Sequence, residues 1–360
     1  FLTITQTFFQ NNLFTLCHLI YTDTFYMKRK WIRRVSWILL TPVLLFVILM
    51  ILLYIPPVQN LLRREVTAYA SKATGMQIQV ERIDLRFPLN LLVRGVEVIQ
   101  QPDTLLSLES LNVRVQAWPL VKGKVEVDEV TLSQVAFNSA NLIEGMKIKG
   151  VLGRFFLQSH GVDLSNELAV INQTELSDTH VQMLMNDTTT TPKDTTASAP
   201  VNWKVDLHKL KLKNVSFSMQ LPADSMRMAA HIGEAFINDA QADLKNQFYE
   251  LKQFLLSGSS ANYDTGAAKP GEGFDASHIA VRDIRIGLDS LLYKGRDMNA
   301  VIREFSMNER SGLSITSLTG RAFSNDSIIR IPGIKLQTPH SEIDLSAQTY
   351  WELVNIPTTG

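Results

Sequence analysis

The chain has 360 residues, 45% hydrophobic and 19% charged, with Lys+Arg and Asp+Glu equal at 35 each. That composition excludes a wholly disordered chain and, lacking a basic excess, a nucleic-acid binder built on phosphate contacts. The single cysteine, Cys17, leaves nothing downstream for a disulfide, a thiolate zinc site or a cysteine nucleophile. The neutral total hides an asymmetry: residues 1–36 hold five bases and one acid, leaving 30 bases against 34 acids beyond, a net of −4.

Residues 1–26 contain no Lys or Arg and no clear period, and the first residue is Phe. Met27 then opens MKRKWIRRVSW, a basic run followed at once by an apolar one, as bacterial membrane-targeting N-termini begin. The reading places the natural start at Met27 and treats 1–26 as an unstructured upstream extension. Residues 27–56 read as a basic N-terminus and a transmembrane anchor. No charge occurs from Val35 to Leu62, and Trp37 to Ile55 as a helix would span about 28 Å, close to the hydrocarbon core of a bilayer. Trp37, Leu39, Leu40, Val43, Leu45, Phe46, Ile48, Leu49, Ile51, Leu52 and Tyr54 form the predicted membrane surface of that anchor. Lys28, Arg29, Lys30, Arg33 and Arg34 precede it, so the positive-inside rule puts the N-terminus in the cytoplasm and the bulk across the membrane. A cleaved signal peptide is the rival, but the apolar core is too long and Tyr54–Val58 offers no small-residue cleavage site.

Residues 57–75 predict a helix, with Val58, Leu61, Leu62, Tyr69 and Ala73 at mostly helical spacing and Gly75 as its stop. Beyond it the period changes to two. Segments 76–185, 201–256 and 278–360 read as β-repeats, interrupted by a Thr/Pro-rich disordered insert at 186–200 and a Gly/Ser-rich flexible loop at 257–277. The last segment reads as truncated. A figure of apolar-x-apolar-x-x-apolar-x-apolar recurs as Val125-Val127-Val130-Leu132, Leu210-Leu212-Val215-Phe217 and Ile279-Val281-Ile284-Ile286. The middle pairs are polar: Asp128-Glu129, Lys213-Asn214 and Arg282-Asp283. Strict alternation would put the second apolar pair on the opposite face, whereas a β-bulge at the polar pair returns all four to one face.

Asp followed by Ser or Thr and apolar residues recurs at Asp103-Thr104, Asp224-Ser225, Asp289-Ser290 and Asp326-Ser327, which reads as strand, turn, returning strand. Val96–Val115, Val215–Ile237 and Ile284–Phe305 are read as three copies of this hairpin. The predicted fold is therefore mainly β: a transmembrane helix and a short helix, then an elongated, curved antiparallel sheet of repeated hairpins. No HExxH, GxSxG, Walker or GxGxxG signature occurs, so the reading assigns no catalytic residue, cofactor or metal.

The anchor, the helix LLRREVTAYASKATGMQIQVERIDLRF, then LLVRGVEV and VKGKVEVDEVTLSQVAF resemble, over Met27–Asn138, the N-terminal region of the AsmA-like superfamily and within it the TamB family, the inner-membrane component of the translocation and assembly module. The resemblance implies a periplasmic β-groove that passes phospholipid between the inner and outer membranes of a Gram-negative bacterium. It also implies support of outer-membrane biogenesis, with an outer-membrane β-barrel as a further partner. Val125, Val127, Val130, Leu132, Leu210, Leu212, Val215, Phe217, Ile279, Val281, Ile284 and Ile286 are then its groove lining. By the residues alone these positions fit a closed core better than a groove, and the resemblance reverses that order. Two alternatives stand beside lipid transport: an assembly or secretion factor acting through a protein partner, and a scaffold without transport. The Asp-Ser/Thr triplets, with Asp187-Thr188-Thr189 and Asp194-Thr195-Thr196, also resemble a periplasmic O-glycosylation acceptor; for the strand-flanking copies ordinary turn chemistry is the preferred reading.

Overall fold

Long runs of period-two sequence leave the chain little choice but extended structure, and a computed structural model shows it in residues 40–41, 44–45, 47–48, 51, 55–86, 89–116, 119, 126–163, 167–186, 202–266 and 269–353, which are the residues described here. The upstream extension, the basic run and most of the predicted anchor lie outside them, as do Val125, the Asp187 and Asp194 triplets, and 354–360. Of the anchor, Leu40, Thr41, Leu44, Leu45, Val47, Ile48 and Ile51 are described; all are helical and exposed. Among the described residues no helix is long and apolar enough to cross a membrane.

The chain divides into two units, 1–59 and 60–360. Helix α1 (Pro56–Thr74) begins on two prolines, whose missing N–H groups fall where a helix start leaves them unbonded anyway. It ends at Gly75, whose φ of +70° suits the left-handed cap and whose N–H donates to Ser71 O at 3.0 Å.

The second unit is one sheet. Its strands are β1 (Gln77–Arg86), β2 (Asn90–Gln100), β3 (Asp103–Val115), β4 (Val127–Asn138), β5 (Met146–Asp163), β6 (Leu168–Met185), β7 (Lys204–Leu221) and β8 (Met226–Asp243). They continue as β9 (Phe248–Asp264), β10 (His278–Lys294), β11 (Asp297–Glu309), β12 (Ser314–Ile315), β13 (Ser317–Ser324), β14 (Ile328–Gln337) and β15 (Glu342–Tyr350). Spatial order follows chain order, with the two-residue β12 pairing β11 off the main path, and the sheet stays open between β1 and β15. The fold is mainly β, as the periodicity predicts.

Four expectations need correction. The sheet is not antiparallel throughout: β6 and β7 run parallel, Leu168 beside Lys204 and Leu184 beside Gln220. Leu168 and Lys204 therefore start their strands at the same end of the sheet, where a hairpin would have set Lys204 at the Met185 end. The loop expected at 257–277 is shorter, because 257–264 complete β9. Asp289-Ser290 is not a turn. It sits inside β10 at a register shift between Leu288 and Ser290, with Asp289 salt-bridged to Arg303 at 3.0 Å; that hairpin turns instead at Gly295, φ +61°. In β4 the polar doublet is Ser133-Gln134, so the figure reads Val130-Leu132-Val135-Phe137, not Val125 to Leu132.

Among the described residues no second layer covers the sheet, and each strand makes its extensive contacts with its sheet neighbours. Among the described residues no large side chain is fully buried, and the buried apolar ones are Ile83, Leu105, Leu108, Ala169, Leu221 and Ala235. A closed globular core would instead enclose its largest side chains.

Candidate functional site

Antiparallel and parallel registers alike place paired residues side by side on one face. One such row crosses every strand of the main path: Leu85, Leu91, Val113, Val130, Leu157, Thr174, Leu210, Ile237, Phe254, Leu288, Ile302, Gly320, Ile334 and Leu345. Only Thr174 and Gly320 interrupt its apolar character. Thirteen strand spacings make it about 62 Å long. The next row is apolar at every position from β1 to β11: Ile83, Val93, Leu111, Leu132, Phe155, Leu176, Leu212, Ala235, Leu256, Ile286 and Phe305.

Beyond that row lies a crease. Gly95, Gln134, Asp178, Asn214, Gly258 and Asp283, in β2, β4, β6, β7, β9 and β10, all have φ between +49° and +59°. In β2, β4, β6, β7 and β9 they occupy one transverse line: the positions between the pairs Arg94–Ser110 and Val96–Leu108 in β2, for example, or between Lys213–Glu234 and Val215–Ile232 in β7. Asn214 Nδ2 donates to Asp178 Oδ1 at 2.7 Å along it. Of the strands between, β5 and β8 supply glycine: a Cβ on Gly153 would lie 2.7 Å from Asp178 Cβ, and one on Gly233 2.5 Å from Gly258 O. Left-handed residues are uncommon in L-chains and here fall to Gly, Asn, Asp and Gln.

The crease resets the alternation. In β7, Lys213 and Asn214 are both exposed while Leu212 and Val215 on either side are half-buried. The same doublet appears at Ser257-Gly258 in β9 and Arg282-Asp283 in β10. The buried residues Ile83, Leu108, Thr179, Ala235 and Ser259 all lie in the two rows flanking the crease. Both flanking rows therefore share the less exposed side. In β10 the doublet is a true bulge with a register shift between Arg282 and Arg285, as the figure predicts; in β7 no residue is added and the left-handed Asn214 alone makes the reset.

The structure brings Leu132, Leu212 and Ile286 into one row, and Val130 and Leu210 into the row beside it. Val215 and Ile284 lie on the flanking row across the crease, and Phe217 and Val281 one row further, with Ile279 joining Met219 and Met228 through Tyr263. Val127 starts β4 outside the repeated figure, and its carbonyl accepts from Ser159 Oγ. Sequence reading missed β2, β4, β6 and β9 as carriers of the figure, although Val93-Arg94-Gly95-Val96 and Leu256-Ser257-Gly258-Ser259 hold the same polar doublet.

Histidines occupy local hydrogen bonds: His208 Nδ1 with Asp239 Oδ1 at 3.0 Å, His231 Nδ1 with Ser216 Oγ at 3.0 Å, and the buried His278 with Asp275 Oδ2 at 3.0 Å. Asp239 is held below the ordinary carboxylate range mainly by His208, and Asp275 mainly by the backbone N–H of Ser277. Two long apolar rows with nothing packed across them among the described residues can bind apolar chains. No family model and no curated protein matches this chain.

Proposed function

We propose that the chain is an inner-membrane-anchored bridge of the TamB/AsmA type that carries phospholipid along the apolar side of its sheet, in support of outer-membrane biogenesis. The observation that supports this reading is the uninterrupted row from Ile83 to Phe305 on a sheet that, among the described residues, has no second layer and encloses no large side chain. Acyl chains lying along such a row leave water at about 0.8 kcal/mol per buried CH₂, while headgroups stay at its margin. The exposed apolar helical positions between Leu40 and Ile51 support the anchor.

The test is photo-crosslinking in cells. A photoreactive residue at Leu212 or Ile286 should capture phospholipid, and one at the adjacent Lys213 or Arg285 should not. Adducts to an outer-membrane barrel alone would favour the assembly-factor reading, and the absence of any adduct the scaffold.

A further inference from the structure

Helix α1 is built inside out. In a helix packed on a sheet the apolar stripe turns inward and the polar side faces solvent. Here the less exposed positions are Val58, Gln59, Arg63, Thr67, Ala70 and Ser71, four of the six polar, and from Gln59 on they follow helical spacing. Two of them hold the free edge of β1: Arg63 Nη1 donates to Glu81 O at 2.8 Å, and Ser71 Oγ accepts from Ile78 N at 3.1 Å. The apolar side points away, with Leu61 58%, Leu62 38%, Val66 47% and Tyr69 77% exposed. Arg64 is exposed at the margin of this side, and by the helical period Lys72 and Glu65, the one acid of the helix, fall within it between Leu61 and Tyr69.

We propose that α1 lies in the plane of the membrane interface, with Leu61, Leu62, Val66 and Tyr69 seated in the lipid surface. Three observations select a bilayer as the occupant. The helix follows directly on the 19-residue apolar run Trp37 to Ile55, so it cannot leave the vicinity of whatever that run enters. Exposed Arg64 and Lys72 suit anionic headgroups, and Tyr69 has the amphipathic ring enriched at that depth. The side bonded to β1 is polar, so the apolar side has no place against the sheet. An in-plane α1 holds the β1 end of the apolar rows, Ile83 and Leu85, against the bilayer, where lipid would load. The inference rests on the membrane part of the proposed function and not on transport.

Depth measurement tests it. In the full chain, with Cys17→Ser removing the native thiol, single fluorophores go on Leu62→Cys, Val66→Cys and Tyr69→Cys, with Lys335→Cys on β14 as control. The protein is reconstituted in phosphatidylethanolamine/phosphatidylglycerol vesicles carrying quencher on the acyl chains. An in-plane helix gives equal lipid quenching at all three α1 positions, at least threefold above Lys335. A helix standing out of the bilayer would lift Tyr69 about 10 Å above Leu62; quenching that falls steadily from 62 to 69, or none above the control, overturns the proposal. Val66→Asp combined with Tyr69→Asp should cut quenching at Leu62→Cys at least twofold, and an unchanged signal also counts against docking. Equal depth without phospholipid adducts at Leu212 would sink transport alone; adducts at Leu212 with graded depth would sink the interfacial helix alone.

Discussion

Asp178 and Asn214 sit side by side in the parallel strands β6 and β7, both left-handed at φ +50° and +52°, joined by a 2.7 Å hydrogen bond from Asn214 Nδ2 to Asp178 Oδ1. The pair lies where the two antiparallel runs of the sheet meet, and it carries the crease across that seam. Short polar side chains tolerate this backbone because they bond locally, and a β-branched residue does not. Asn214→Val and Asp178→Val should each lower stability by about 1–3 kcal/mol, with Asn214→Gly far milder. Urea unfolding followed by circular dichroism checks this; equal midpoints for the Val and Gly variants would contradict it.

The glycine opposite makes a second, steric demand. Gly153→Ala would put its Cβ 2.7 Å from Asp178 Cβ, closer than carbon atoms pack, so one strand must shift. A loss of about 1–3 kcal/mol is expected, the usual range for overpacking. The clash partner is the Asp178 side chain together with nearby backbone oxygens, so Asp178→Gly should restore only part of the loss. A fully additive double variant would show that the two positions do not meet.

The apolar rows make a prediction about lipid. A carboxylate set among acyl chains costs well over 1.4 kcal/mol, so Leu212→Asp should reduce phospholipid recovered with the purified protein about tenfold or more. Lys213→Asp, on the exposed doublet, should leave recovery unchanged. Quantifying lipid phosphorus per protein by mass spectrometry distinguishes them, with circular dichroism verifying that both variants retain the sheet.

Glu309 gives a pH dependence. Its carboxylate accepts from Ser311, at 2.6 Å from that residue's N–H, and from the N–H of Ala280, which hold its pKa at about 2 against an ordinary 4.5. A carboxyl depressed on folding stabilises the fold above its unfolded pKa and loses that contribution as pH falls from about 4.5 to about 2. Glu309→Gln should therefore be less stable than the parent at pH 7, with the gap narrowing through that window. Denaturant midpoints measured across it provide the check; a constant gap would rule out the ionisation as the cause.

The two sheet edges differ. Side chains of α1 bond the backbone of β1, whereas β15, the other edge strand among the described residues, pairs only with β14 and presents Ile343 and Leu345 at 51% and 49% exposure. Such an edge is a template for strand addition. Ile343→Lys together with Leu345→Lys should lower concentration-dependent self-association in analytical ultracentrifugation, while lysines at exposed Gln220 and Gln241 on the inner strands β7 and β8 should not.

The helix with its Gly75 stop and the strands are legible in the sequence because each depends on local periodicity and on residues with restricted backbone choices. The repeated figure around Asn214 and Asp283 was legible for the same reason: a polar doublet between apolar pairs can keep one face only if alternation is reset there. The turn assigned at Asp289-Ser290 failed because the same residue types serve a bulge as readily as a turn. What needed tertiary structure was pairing. A period of two is identical in parallel and antiparallel neighbours, so nothing local distinguishes the β6–β7 seam from a hairpin. Closed core and open stripe likewise demand the same valines, leucines and isoleucines; only the register that lines up Ile83 through Phe305, and the absence of a covering layer among the described residues, separates them. The sequence by itself determined which residues are extended and which are apolar, since those follow from short-range sterics and hydration. Which strand lies beside which, and which side of the sheet and of α1 stays uncovered, was decided by contacts between residues far apart in the chain.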